Sequence, residues 1–103
     1  MNKDLLTHIV VFWLKPDCKY KLDEILNAAL SLNEIPGLIS FDLGKMISSE
    51  RDVVDKTYDF AFNMTFSSKQ DLDSYICHEI HEDFVNKHVK PNIEKIKVFD
   101  FSL

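Results

Sequence analysis

Glycine and proline are scarce, at two and three residues in a chain of 103. That leaves little material for linkers or long loops, and nothing resembles a phosphate loop, a flavin site or a haem ligand set. The two cysteines, Cys18 and Cys77, fit no CxxC spacing and are too few for a disulfide framework. They are expected as free thiols in a reducing cytoplasm. Basic charge is short as well. Twelve Lys and Arg face seventeen Asp and Glu, a formal net charge of −5, and no basic cluster interleaves with aromatics, so nucleic acid is not an expected partner. No membrane segment is expected either. Met1-Asn2-Lys3-Asp4 leads into only ten apolar-leaning residues, too short to span a bilayer and without a small-residue cleavage site. The sequon Asn63-Met64-Thr65 has no secretory signal to give it meaning.

What the chain does contain is apolar surface. It is 46% hydrophobic and 12% aromatic, enough for a packed core and too much for disorder. Two independent cores would each fall near the lower limit of self-stability, so residues 1–103 are read as a single domain. There is no internal repeat and no low-complexity segment.

The run from Leu5 to Leu14 is apolar on both parities, as in a strand buried on two sides. Leu6, His8, Val10, Phe12 and Leu14 share one face; Thr7, Ile9, Val11 and Trp13 share the other. Lys15-Pro16-Asp17 ends the strand, with Asp17 placed to cap a helix. Leu22, Ile25, Leu26 and Ala29 follow helical spacing, with Leu30 widening the stripe, and Asn33-Glu34-Ile35-Pro36-Gly37 stops it. Two strands are expected next. Over Leu38 to Ile47, Ile39, Phe41 and Leu43 alternate with polar residues. Over Thr57 to Phe66, Tyr58, Phe60, Phe62, Met64 and Phe66 do so. Ser48 to Lys56 between them is polar and reads as an exposed loop.

Ser67-Ser68-Lys69-Gln70-Asp71 looks like a helix start, followed by the short stripe Leu72, Tyr75 and Ile76. A second helix is expected from about His78 to Val89, terminated by Lys90-Pro91-Asn92. The last strand spans about Lys95 to Phe101, with Ile96 and Val98 on one parity and Phe99 and Phe101 on the other. The order β-α-β-β-α-β predicts an α+β, ferredoxin-like fold with a four-stranded antiparallel sheet. Both helices would cover one face. The other face, carrying Ile9, Val11, Trp13 and Phe99, would be an exposed apolar patch, and a second copy of the same sheet is its simplest cover. A homodimer is expected.

The stretch with the densest chemistry is Tyr75-Ile76-Cys77-His78-Glu79-Ile80-His81, a phenol and two imidazoles at the junction of two helices. Tyr75 and His81 are six residues apart, about 120° around an unbroken helix at roughly 100° per residue. They converge only if the helix bends near His78. In that case a desolvated His81 serves as a neutral base and Tyr75 donates to a carbonyl oxygen gaining charge. His8 would orient the substrate from the sheet. This suits proton removal next to a carbonyl. The structural readings stay open beside it. His81 also reads as a buried histidine bonded to backbone or to Tyr75, His8 as a satisfied core histidine, and His78 as a brace or cap for the second half-helix. His78, His81 and Glu82 have metal-like spacing, but His78-Glu79-Ile80-His81 is one residue short of HExxH, so no metal and no cofactor are expected.

Taken together, four motifs resemble the stress-responsive dimeric α/β-barrel (Dabb) family. They are His8-Ile9-Val10-Val11-Phe12, Ile35-Pro36-Gly37, Tyr75-x-x-His78-x-x-His81, and Val98-Phe99-Asp100-Phe101. The resemblance implies a dimer whose sheets form a barrel, with a small-molecule cavity in each subunit between sheet and helices. Val10, Phe12, Phe60, Phe62, Ile76, His78, Phe84 and Val85 are its candidate lining. Family members include bacterial proteins of unknown role, plant stress-induced proteins and a polyketide cyclase whose tyrosine–histidine dyad matches Tyr75 and His81. In that cyclase a first-strand histidine matches His8. Here Glu79 replaces a common proline, Phe60 stands where the cyclase has a third histidine, and Phe62 is a ring where a small residue would open the pocket. Two functions remain. One is a stress-associated dimer that binds a small ligand or plays a structural role. The other is a cofactor-independent lyase or cyclase acting on a small carbonyl compound. A likeness to cofactor-free monooxygenases would rest on fold analogy alone. A cation held by backbone carbonyls near Asn33–Gly37 is left open.

Overall fold

The structure is a computed structural model that describes residues 4–103. Strand β1 (Leu6–Leu14) leads into a 3-10 turn (Pro16–Lys21), helix α1 (Leu22–Ala29) and a second 3-10 turn (Leu30–Glu34). Strands β2 (Leu38–Lys45) and β3 (Phe60–Phe66) follow, then α2 (Lys69–Ile76) and α3 (Glu79–Phe84). A π turn (Val85–Val89) joins α3 to α4 (Lys90–Asn92), and β4 (Ile93–Ser102) closes the chain. The sheet order is β2-β3-β1-β4 with every neighbouring pair antiparallel, the ferredoxin-like arrangement.

Register explains which side chains meet. Leu43, Phe62, Val10 and Val98 form one row across the sheet, and Phe41, Met64, His8 and Asp100 form the next. Their shared parity faces the helices. Phe60, Met64 and Phe66 are fully buried there against Ile25, Leu32 and Leu72. Phe12 and Phe60 stack with ring centroids 4.4 Å apart, a contact that adds to the area each removes from water.

Several local features differ from the expected pattern, each for a physical reason. Asp17 is not a helix cap. Helical winding begins one residue earlier at Pro16, whose fixed φ and missing N–H suit a first turn, and Lys15 holds the cap position without a side-chain bond. Leu30 does not widen the apolar stripe. After Ala29 the helix tightens to three residues per turn, which leaves Leu30 54% exposed and buries Leu32 instead. In β2 a register shift between Leu38 and Ser40 makes Ile39 the extra, exposed residue, so Leu38, Phe41 and Leu43 pack on the core. Lys90-Pro91-Asn92 ends the helical stretch as its last turn, α4, and not by breaking it at Val89. The π turn precedes the proline, which sits in the first turn of α4, the Asn92 side-chain amide donates to the His88 carbonyl at 2.9 Å, and the Asn92 carbonyl accepts from the Lys15 N–H at 2.8 Å.

The outer sheet face carries Ile9 and Val11, half-buried, with Phe99 and Phe101 half exposed. Trp13 does not belong to this open patch. It is only 8% exposed, because its indole N–H donates to Thr57 Oγ1 at 2.9 Å and Lys95 Nζ sits 4.5 Å above the ring.

Gly37, in the turn before β2, has φ +91, and a Cβ there would lie 2.9 Å from Asp71 Cβ on α2. Gly44 has ordinary φ and open space around it. Gly37→Ala is expected to destabilise by about 1–2 kcal/mol and Gly44→Ala by no more than about 0.5 kcal/mol, read as urea midpoints. Equal midpoints for the two variants would contradict this turn geometry.

Candidate functional site

The site begins at a break in the helical layer. Ser68 caps α2 by accepting from the Asp71 N–H at 3.1 Å. The helix runs to Ile76 and stops because His78 is extended, with φ −71 and ψ 144. The side chain of His78 then caps α3, its Nδ1 accepting from the Ile80 N–H at 3.1 Å, with Glu79 and Glu82 in the first turn where the helix dipole favours acids. The break redirects the axis. Tyr75 and His81 meet edge to face with ring centroids 4.8 Å apart.

From the sheet side, β1 presents His8 opposite Asp100 of β4. His8 is 6% exposed, and its Nδ1 lies 2.5 Å from Asp100 Oδ1, so the buried imidazole has its partner. That contact leaves Nε2 as the uncommitted nitrogen of the ring. The His8 and Tyr75 rings are 5.9 Å apart, also edge to face. Among the described residues nothing accepts a hydrogen bond from the Tyr75 hydroxyl, which therefore remains a donor for a guest.

These groups line one cavity of about 320 Å³, at the lower end of the size range for small-molecule sites. His8, Tyr75 and His81 are joined there by Val10, Phe12, Phe62, Ile76, Phe84 and Val85. Two of the candidate lining residues lie elsewhere. Phe60 is fully buried beneath Phe12, so the aromatic that replaces the cyclase histidine is core. His78 is turned away to cap α3 and does not line the cavity. Val89, Ile96, Val98 and Asp100 complete the wall and had not been anticipated. The missed signal for Asp100 was parity: it follows Ile96 and Val98 on one face of β4, a carboxylate opposite the single imidazole of β1. A second hollow, about 360 Å³, lies between α1 and α3 beside Asn27, Ser31, Asp83 and Lys87, and touches none of the three candidate residues. No helix is long and apolar enough to cross a membrane.

Burial holds the His81 imidazole below its ordinary 6.5, and nearby His8 adds to the drop, while the Ile76 carbonyl and Glu82 act the other way. Burial also pushes the Tyr75 phenol above its ordinary 10.0. At neutral pH the pair is therefore a protonated donor beside a neutral base. The unfolded chain takes up the His81 proton near 6.5, the folded chain only at lower pH. In that interval the unfolded state binds more protons, so this contribution is full above 6.5 and lost as pH falls through the folded value. The parent is expected to lose more stability than His81→Gln between about pH 7.5 and about pH 5. Parallel urea curves for the two proteins across that range would count against a buried neutral imidazole.

The family model described as the Stress responsive A/B Barrel Domain matches residues 6–103. A stress-response A/B barrel domain-containing protein of Arabidopsis thaliana is 33% identical over 95 residues, which are 91% of this chain and 82% of that protein. A Dabb family protein with a ferredoxin-like fold from Mesorhizobium loti superposes with a TM-score of 0.76 at 29% identity, over 95% of each chain. The hydroxynitrile lyase of Passiflora edulis shares the fold with a TM-score of 0.81 at 20% identity, over 98% of this chain and 94% of its own. So does a dimeric ferredoxin-like protein of unknown function from Thermobifida fusca, with a TM-score of 0.76 at 19% identity, over 100% and 94%. The match across residues 6–103 and the Arabidopsis relative place this chain in the Dabb family of stress-responsive A/B barrel domains.

Proposed function

We propose that the cavity binds a small, mostly apolar carbonyl compound and that the protein acts on it as a cofactor-independent lyase or cyclase-type enzyme. One observation carries the reading: a phenol donor, a neutral imidazole and a carboxylate-held imidazole line the same cavity. In this mechanism His81 takes the proton from the carbon next to the carbonyl. The electron pair moves toward the carbonyl oxygen, which the Tyr75 hydroxyl stabilises by donating to it. His8, held by Asp100 at Nδ1, orients the guest through Nε2. Return of the proton from His81 to the carbon completes an exchange; alternatively the carbanion attacks a second carbonyl, whose π pair moves to oxygen, and the proton on His81 passes to the resulting alkoxide to give the aldol product. The fold shared with a hydroxynitrile lyase is compatible with such work on this scaffold.

A second reading, ligand binding or a structural role without turnover, draws on the fact that Asp100 already satisfies His8 inside the protein. The two readings separate without a known substrate. In deuterated buffer the parent is expected to speed exchange of the protons beside the carbonyl of benzylacetone, and His81→Ala to lose about a hundredfold or more of that rate. Binding of the ketone with no accelerated exchange would favour the second reading.

The same proposal includes a homodimer through the outer sheet face, with Ile9, Val11 and Phe99 at its centre and Trp13 left to its own subunit. A half-exposed ring such as Phe99 gains on burial, toward the roughly 1.5–3 kcal/mol of a fully buried apolar side chain. The dimeric Thermobifida fusca protein has this fold. Cys18 and Cys77 are not bridged, in keeping with a cytoplasmic location. Phe99→Glu is expected to sediment as a monomer at concentrations where the parent is a dimer; identical sedimentation of the two would overturn this interface.

A further inference from the structure

Resting on the reading of the cavity as the ligand site, we propose that it selects an uncharged guest. The ligand class is a ketone, aldehyde or amide with an apolar tail, and the carboxylate of the same shape is rejected.

The charge of the wall is the first ground. No lysine or arginine lines the cavity among the described residues, and its one carboxylate, Asp100, is half exposed. The open side is framed by Ile76, Ile96 and Val98, which are 43–50% exposed, so Asp100 stands with them at the mouth. Bonded to His8, Asp100 contributes either a neutral ion pair or one net negative charge, never a positive one. The nearest lysines in sequence do not change this. Lys95 and Lys97 have the opposite parity on β4; Lys95 lies over Trp13, and Lys97 pairs with Val11. Lys90 lines a neighbouring groove together with Glu82. An anion entering here would leave water, pass a carboxylate and find no cation except a His8 imidazolium whose charge Asp100 already offsets.

Donor count is the second ground. A carboxylate presents two oxygens with about four acceptor sites, whereas a ketone oxygen needs one or two donors. The Tyr75 hydroxyl is one free donor, His8 Nδ1 is committed to Asp100, and His8 Nε2 is the one other uncommitted position of that ring, still fewer partners than a carboxylate's oxygens need. The polar groups also cluster at one end. Tyr75 lies within 4.8 Å of the His81 ring and 5.9 Å of the His8 ring, and Phe12, Phe84, Val89 and Ile96 make the remainder apolar. One polar head and one apolar tail match that division.

Benzylacetone, hydrocinnamamide and hydrocinnamate differ only at the group on the carbonyl carbon, a methyl, an amino group and an oxyanion. Calorimetric titration of the full chain with each, at neutral pH, tests the inference. The ketone and the amide are expected to bind about tenfold or more tightly than hydrocinnamate, with shifts in the His8 and His81 imidazole resonances. Ile96→Lys, at the exposed rim, is expected to raise hydrocinnamate affinity severalfold. Hydrocinnamate binding as tightly as the ketone, or an Ile96→Lys variant with no gain for it, would overturn the selectivity and leave the ligand site standing. Failure of all three probes to bind, or binding that leaves both imidazoles unmoved, would overturn the ligand site and this inference with it.

Discussion

The break between α2 and α3 is the constraint on which the candidate site depends. Two residues six apart on one helix face different ways, and no choice of rotamer brings their rings together. An extended His78 removes that geometry, and the same residue repairs the cost by capping the new helix at the Ile80 N–H. His78 therefore shapes the site without lining it. A change at this position that loses the cap would loosen the meeting of Tyr75 and His81 while leaving both side chains in the sequence.

The second constraint is the antiparallel register of β1 and β4. It sets His8 opposite Asp100, fixes the imidazole by its Nδ1, and leaves the other nitrogen uncommitted. The helical half of the site is thus organised by a turn, the sheet half by a strand pairing. The two halves meet where Tyr75 lies against His8, but the inner residues Ile96 and Val98 of β4 remain 43% and 50% exposed. The helical layer covers β1 and β3 fully and stops short of the edge strand. A cavity results.

Much of this was legible in the residues. Alternation in β3 and the helical stripe of Ile25 and Ala29 identify their elements because burial on one face repeats with the period of the backbone. The need for a bend at His78 followed from spacing alone. What escaped was anything decided by geometry between elements or by a local change of winding. The bulge at Ile39, the tightening after Ala29 and the π turn before Pro91 each shift a face by one residue, and no pattern in a single strand or helix announces that. Asp100 escaped for another reason. Its role exists only once β4 is laid beside β1 in one register. Trp13 was placed in the open patch by parity, which is correct for the strand, but parity could not foresee that Thr57 and Lys95 would cover it.

Register also ties the two halves of the proposed biology together. On β1 and β4 one parity carries His8, Val10, Val98 and Asp100 toward the cavity, and the other carries Ile9, Val11 and Phe99 outward. The alternation has period two, so these sets cannot be varied independently by sliding the strand. A one-residue slip of β4 would put Phe99 or Phe101 opposite His8 in place of Asp100, filling the mouth with a ring and turning a carboxylate to the apolar face. Both outcomes are unfavourable at once, since the imidazole would lose its partner and the outer face would gain a charge. The apolar outer face thus disfavours the slipped register, and the carboxylate that holds His8 is kept in the cavity partly by what lies on the far side of the sheet.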